Sequence, residues 1–163
     1  MVSRDDFRRA MGRFATGVTV VTTLDENGAV HGMTANSFTS VCLEPPAILV
    51  CVAHGAHTYN YVEAQGTFGV NILGVEQLPV GQYFARRPED RTAEVDWSYS
   101  ISADGVPMLE GSMVSMACRV LGSHVYGDHT IYVGCVEEMK MGDGGAPLLF
   151  YESRWNTSVE ASL

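Results

Sequence analysis

Val18-Thr19-Val20-Val21-Thr22-Thr23 is an unbroken run of β-branched residues, and after Leu24 it meets Asp25-Glu26-Asn27-Gly28. β-Branched side chains are stiff at χ1 and suit a pleated strand better than a helix, while Asn-Gly supplies the positive-φ residues of a hairpin turn. The two signals together predict a strand over 18–23 that returns over 29–35. Glu44-Pro45-Pro46 interrupts a ladder because proline has no amide donor, and the apolar run behind it predicts a central buried strand over 47–53. Further strands are predicted over 67–72, 113–125 and 129–140, the last two joined by the turn Tyr126-Gly127-Asp128. Residues 147–152 are expected to close the sheet. Many short strands with few helices point to a mainly β, antiparallel barrel, which removes open sheet edges, rather than parallel α/β layers.

The helical signals are fewer. Ser3 can cap a helix that gathers Phe7, Ala10, Met11 and Phe14 on one face and Arg4, Asp5, Arg8 and Arg9 on the other, ending near Thr16-Gly17. A short helix is expected over 57–65 and a second over 75–85, interrupted by Pro79. Residues 86–108 are the most polar stretch and are expected to form a mobile loop.

A chain of 163 residues predicts one domain, 1–163, with one cofactor site. Its 46% hydrophobic and 18% charged content is that of a folded protein. The net charge of −9 disfavours nucleic acid and anionic membrane as partners, so an anionic ligand needs a local pocket. The charged amphipathic start is not the pattern of a secretory leader. The longest apolar run, 45–53, is far shorter than the roughly 20 residues of a bilayer span. A cytoplasmic location is expected. Cys42, Cys51, Cys118 and Cys135 show no C-x-x-C spacing and read as buried reduced thiols. Neither G-x-G-x-x-G nor G-x-x-x-x-G-K-[ST] occurs, so a nucleotide would be held by another device.

Gly32-Met33-Thr34-Ala35-Asn36-Ser37-Phe38-Thr39-Ser40-Val41 sets hydroxyls, an amide and small residues around a strand end. Such a segment either presents donors to a flat, hydrogen-bonding ligand or is a β-turn rich in Ser, Thr and Asn. His129 in Gly127-Asp128-His129 is equally open between a solvated hairpin residue and a ligand-orienting one. His54 and His57, with His31 or His124, have spacing compatible with a metal site, but no Cys or carboxylate is placed to complete the shell, and no metal is expected.

Taken in order, residues 16–23, the 32–41 segment, Glu44-Pro45-Pro46, Phe68-Gly69-Val70-Asn71-Ile72-Leu73, Phe84-Ala85 and Gly127-Asp128-His129 resemble the short-chain flavin reductases. These are the reductase components of two-component flavin-dependent monooxygenases. The resemblance spans about residues 5 to 155. It implies an FMN-binding split β-barrel, a homodimer with flavin near the subunit interface, and reduction of FMN or FAD by NADH or NADPH. The reduced flavin would diffuse to a partner monooxygenase.

The resemblance also implies flavin contacts from Met33, Thr34, Ala35, Asn36, Ser37, Thr39 and Ser40, from the strand end Cys51, Val52 and Ala53, and from the helix start His57-Thr58. Phe84, Arg87, Arg91, Gly127 and Asp128 join them. A helix N-terminus offers free amides and partial positive charge to a phosphate, Thr58 adds a hydroxyl, and Arg87 and Arg91 supply cations. His129 falls where the family places a histidine near the nicotinamide. Its implied role is to orient that group, since hydride passage from nicotinamide C4 to flavin N5 belongs to the cofactors. One departure is Gly55-Ala56, where many relatives carry serines, so backbone amides must replace two side-chain phosphate contacts. Two other readings remain: an electron carrier that keeps its flavin, and a split barrel for haem or a corrinoid, for which no axial-ligand motif stands out.

Overall fold

The computed structural model describes residues 1–156. The chain runs α1 (Arg4–Gly12), β1 (Thr16–Gly17), β2 (Thr19–Leu24), β3 (Val30–Ala35), β4 (Phe38–Leu43), β5 (Pro46–Ala53), α2 (His57–Gln65) and β6 (Thr67–Ile72). A 3₁₀ turn (Val75–Gln77) leads into α3 (Leu78–Phe84), and a second (Pro88–Asp90) precedes β7 (Tyr99–Ile101), β8 (Pro107–Leu109), β9 (Val114–Tyr126), β10 (His129–Met141), β11 (Leu149–Tyr151) and β12 (Arg154–Asn156). No helix among the described residues is long and apolar enough to cross a membrane.

Seven strands form one antiparallel sheet in the order β3-β2-β6-β9-β10-β5-β4. Its two edge strands, β3 and β4, follow each other in the chain and are joined through Asn36-Ser37, so the edges must approach each other there. The result is a barrel left split along one seam, with the 32–41 segment lying on the seam.

The β2–β3 hairpin forms for the reasons its sequence supplies. The Asp25 carboxylate accepts hydrogen bonds from the amides of Asn27 and Ala29, and Gly28 takes φ +78°. β2 is buried on both faces because Val21 enters the cluster inside the barrel with Val50, Val52, Phe68 and Tyr132, while Val18 and Val20 flank its other face with Leu73, Phe84 and Leu148. α2 plugs the inner cluster with Val62, and α3 covers the outer one with Val80 and Phe84. Each such fully buried side chain contributes about 1.5–3 kcal/mol of transfer free energy.

Asn71, fully buried on β6, donates from Nδ2 to Val20 O (3.0 Å) and Thr22 Oγ1 (3.1 Å), and its Oδ1 accepts the Leu109 amide (2.8 Å). Thr22 Oγ1 in turn donates to Pro107 O at 2.6 Å, so two buried polar side chains fasten the β7–β8 ribbon to the sheet.

Several expectations need correction. α1 stops at Gly12, and its apolar face is uncovered: Phe7, Met11 and Phe14 are 60%, 52% and 69% exposed. The strand after Pro45 is next to an edge rather than central, because Phe38–Leu43 is itself a strand on its outer side. Pro79 does not interrupt a helix; it sits in the first turn of α3, where its missing N–H costs nothing. Residues 86–108 are not a bare loop, since they hold a 3₁₀ turn and β7, and Val106 and Met108 are buried. β11 does not close the large sheet but pairs with β1 and β12 in a small separate one. Of the four free cysteines, Cys118 and Cys135 are buried, Cys51 is half-buried and Cys42 is exposed. Burial pushes the Cys118 thiol up to about 12, which makes it inert as a nucleophile.

Candidate functional site: a cradle beside a hairpin turn

The seam corner is held by side chains that bind backbone. Thr34 Oγ1 donates to Gly81 O at 2.7 Å, tying β3 to α3. Ser37 Oγ donates to Cys51 O at 2.9 Å while Ser37 O accepts the Cys51 amide at 3.1 Å, tying the corner to β5. Asn36 Nδ2 reaches Thr16 Oγ1 at 3.2 Å. Edge strands hydrogen-bond on one side only, so a flat ligand with donors and acceptors on its rim can complete the seam.

Beside the corner lies a cavity of about 450 Å³ between β3, the start of α2 and the end of α3. Its floor is Gly32 under the Phe84 ring; a Cβ at Gly32 would stand 2.6 Å from two ring carbons, so only glycine lets the ring lie there. Arg91 Nη2 donates to Gly32 O at 2.7 Å, and its guanidinium stacks 5.1 Å from the Phe84 centroid and 5.3 Å from that of Tyr83. Arg86 and Arg87 line the mouth and are exposed, with Glu89 among them. In a protein of net charge −9, this concentrates cations where an anion can be received.

The other wall is the N-terminus of α2, whose N-cap Ala56 makes no side-chain cap hydrogen bond. First-turn amides have no partner inside a helix, so those of His57 and Thr58 suit an anion. The Thr58 side chain is fully buried in the cavity wall, its hydroxyl 2.9 Å from His31 Nε2. Burial, with Arg91 and His57 adding positive charge nearby, pushes the His31 imidazole down to about 4, so it stays neutral. Its ring also meets Tyr61 edge-on at 5.0 Å.

The fold brings Met33, Thr34, Ala53, His57, Thr58, Phe84, Arg87 and Arg91 around this cavity. Ala35 and Asn36 line a neighbouring one of about 180 Å³ with Val18, Phe150 and Trp155, and Thr34 and Ala85 border both. Other expected residues stand apart. Thr39 and Ser40 are exposed on β4 and border neither cavity, and the Val52 side chain is buried in the barrel, leaving only its backbone to offer. His31, Gly32, Arg86 and Glu89 belong to the lining although the sequence reading did not single them out as ligand contacts.

The Gly127-Asp128-His129 turn adjoins the cradle through β5: His129 pairs with Ala53 in register, and the His54 amide donates to Asp128 O at 2.9 Å. Gly127 takes φ +58°, the conformation a tight turn asks of it. His129 Nδ1 lies 2.7 Å from Asp128 Oδ1, which holds the Asp128 carboxyl below the usual range. With Nδ1 so engaged, Nε2 is the ring atom left for a ligand. No group of three or more His, Cys, Asp or Glu among the described residues is placed to hold a metal ion.

A flavin with its phosphate fits this donor set: main-chain groups on an open seam, an aromatic floor, helix-start amides and arginines around a cavity of about 450 Å³. The model described as "Flavin reductase like domain" matches residues 11–158. An NADH-dependent flavin reductase of a Rhodococcus species is 46% identical over 146 residues, 88% of this chain and 80% of that protein. The reductase subunit of a flavin-dependent monooxygenase from Rhodococcus jostii is 36% identical over 154 residues, 94% of this chain and 77% of that protein. The solved structure of a Streptomyces globisporus NADH:FAD oxidoreductase with NAD and FAD fragments superposes with a TM-score of 0.86 at 34% identity, covering 98% of this chain and 95% of that one.

Proposed function

The chain belongs to the family of flavin reductase-like domains, and on that premise we propose that it is an NAD(P)H:flavin oxidoreductase that reduces FMN or FAD for a flavin-dependent monooxygenase. The observation that carries the reading is the union of an arginine-rimmed cradle on the barrel seam with a histidine-bearing turn one residue pair away. When bound, the nicotinamide supplies the hydride and the flavin accepts it, a proton completing the reduced flavin. The protein's share is placement. The corner 33–37 and the strand end at Cys51 and Ala53 present main-chain groups to the flavin ring. The α2 amides with Arg87 hold its phosphate, and Arg91 braces the floor through Gly32 and Phe84. Asp128 fixes His129 so that Nε2 meets the nicotinamide half from the open side.

The whole chain, 1–163, acts as one domain in this reading, in the cytoplasm, as a homodimer. The uncovered face of Phe7, Met11 and Phe14 supports a second copy as its cover, because an amphipathic helix normally buries such a stripe. Reduced flavin leaves by diffusion, since the cavity is open to solvent.

A steady-state matrix of NADH and NADPH against FMN, FAD and riboflavin, with sedimentation of the same samples, tests the reading. Turnover is expected with phosphorylated flavins at lower KM than with riboflavin, in a particle of two chains. A protein that stays yellow through dilution and oxidises neither nicotinamide is an electron carrier instead.

A further inference from the structure

We propose that His54 is a positioning residue for the nicotinamide turn, acting through His129; this rests on the assignment of His129 to the nicotinamide. His54 directly follows β5 and grips the hairpin at two points that straddle His129. Its backbone N–H donates to Asp128 O at 2.9 Å, and its Nε2 lies 2.9 Å from Thr130 Oγ1. Between these anchors His129 is in register with Ala53, and its Nδ1 is held by Asp128 Oδ1. The His129 side chain is 47% exposed, and an imidazole so open gains a single direction only if the backbone under it is fixed.

Thr130, which meets His54, lies two residues from Tyr132 on one face of β10. Tyr132 Oη donates to Glu63 Oε1 at 2.6 Å, which ties this face of the strand to α2. Burial, with the Glu63 carboxylate adding to it, pushes the Tyr132 phenol up, so its proton stays on. The Thr130 hydroxyl both donates and accepts, so it pairs with His54 Nε2 in either tautomer of the ring. Thr130 and Tyr132 are both buried to 1% exposure, where an unmet polar group is costly, so the His54–Thr130 hydrogen bond is held. The His54 ring also rests 4.8 Å from Tyr59 on α2. One side chain thereby links the helix that walls the cradle to the strand that carries His129.

The test is a set of variants, His129→Ala, His54→Leu, their double, Thr130→Val and Thr130→Ser, read by the NADH dependence of flavin reduction, the flavin Kd and the thermal midpoint. His54→Leu and Thr130→Val are expected to raise KM for NADH about three- to tenfold with flavin Kd unchanged. Thr130→Ser should restore most of the loss, and the double variant should be no worse than His129→Ala. Additive losses in the double, or equal losses in NADH and flavin binding, overturn the proposal. So does an unchanged His54→Leu where His129→Ala is impaired. If His129→Ala itself changes nothing, the nicotinamide assignment fails and the role of His54 falls with it. Should Thr130→Val not fold, the half-buried His54→Leu still decides.

Discussion

The cradle beneath Phe84 and the turn at Asp128 meet at one short segment, residues 53–57, yet they are built in opposite ways. In the cradle three polar side chains are engaged within the protein: Thr34 on Gly81 O, Arg91 on Gly32 O, and His31 with Thr58. What remains for a ligand is backbone, ring faces, the outer arginines and the exposed His57. At the turn, by contrast, 86% of the Asp128 side chain and 47% of that of His129 stay open. A cradle of that kind depends on shape and is intolerant of added volume. A turn of this kind depends on two functional groups, and volume matters little there.

The largest effect should therefore come from shape. Gly32→Val drives a side chain into the Phe84 ring and displaces the Arg91 stack; overpacking of this sort costs about 1–3 kcal/mol of stability. With the floor displaced, flavin affinity should fall about a hundredfold, roughly 2.7 kcal/mol of binding. Flavin fluorescence titration of the folded variant measures it. Wild-type affinity would remove the cradle from the flavin site and break the contrast.

Chemistry at the turn ranks next. His129→Ala should lower kcat/KM for NAD(P)H about ten- to a hundredfold, the worth of one hydrogen bond to a charged group, and leave flavin affinity unchanged. Stopped-flow reduction at equal flavin saturation separates the two quantities. Equal damage to both ligands would mean that turn and cradle are one site rather than two.

The smallest effect is a pH signature of the cradle. The His31 pKa is depressed in the folded protein, to about 4 from 6.5, so between those values the unfolded chain binds more protons than the folded one. Stability present at neutral pH is then lost as pH falls through that window, and the loss is complete near pH 4. Because His31 lines a cavity open to solvent, about 1–2 kcal/mol is the appropriate scale after screening. Thermal melts from pH 7 to 4 should show a shallower slope for His31→Gln than for wild type. Equal slopes would mean that His31 is not held neutral.

What was legible in the sequence was local. The β2–β3 hairpin, α2, β6 and the β9–β10 hairpin declare themselves through β-branched runs, a turn and short-range periodicity. β4 did not, because Phe38–Leu43 is rich in hydroxyls and reads like the turn before it. Its strand character comes from pairing with β5. The order of strands, the place of β11 and the uncovered face of α1 are likewise set by distant partners. The same holds inside the site: Thr58 and Arg87 are visible as residues, but His31 sits 27 positions from Thr58, and the Gly32 carbonyl 59 positions from Arg91. Only the folded chain shows that the Thr58 hydroxyl meets His31 in the cavity wall.

Asn71 has a consequence for cooperativity. The β7–β8 ribbon, with three residues in each strand, is too small to persist alone, and the Asn71 and Thr22 side chains bind it to the sheet. Peeling the ribbon away would break its hydrogen bonds to Asn71 and Thr22 together and uncover Val106 and Met108, so the excursion is opposed twice over. The amides of β8 are therefore expected to exchange together with those of β2 and β6, which native-state hydrogen exchange measures, and a segment that looks peripheral in the chain takes part in the cooperativity of the sheet.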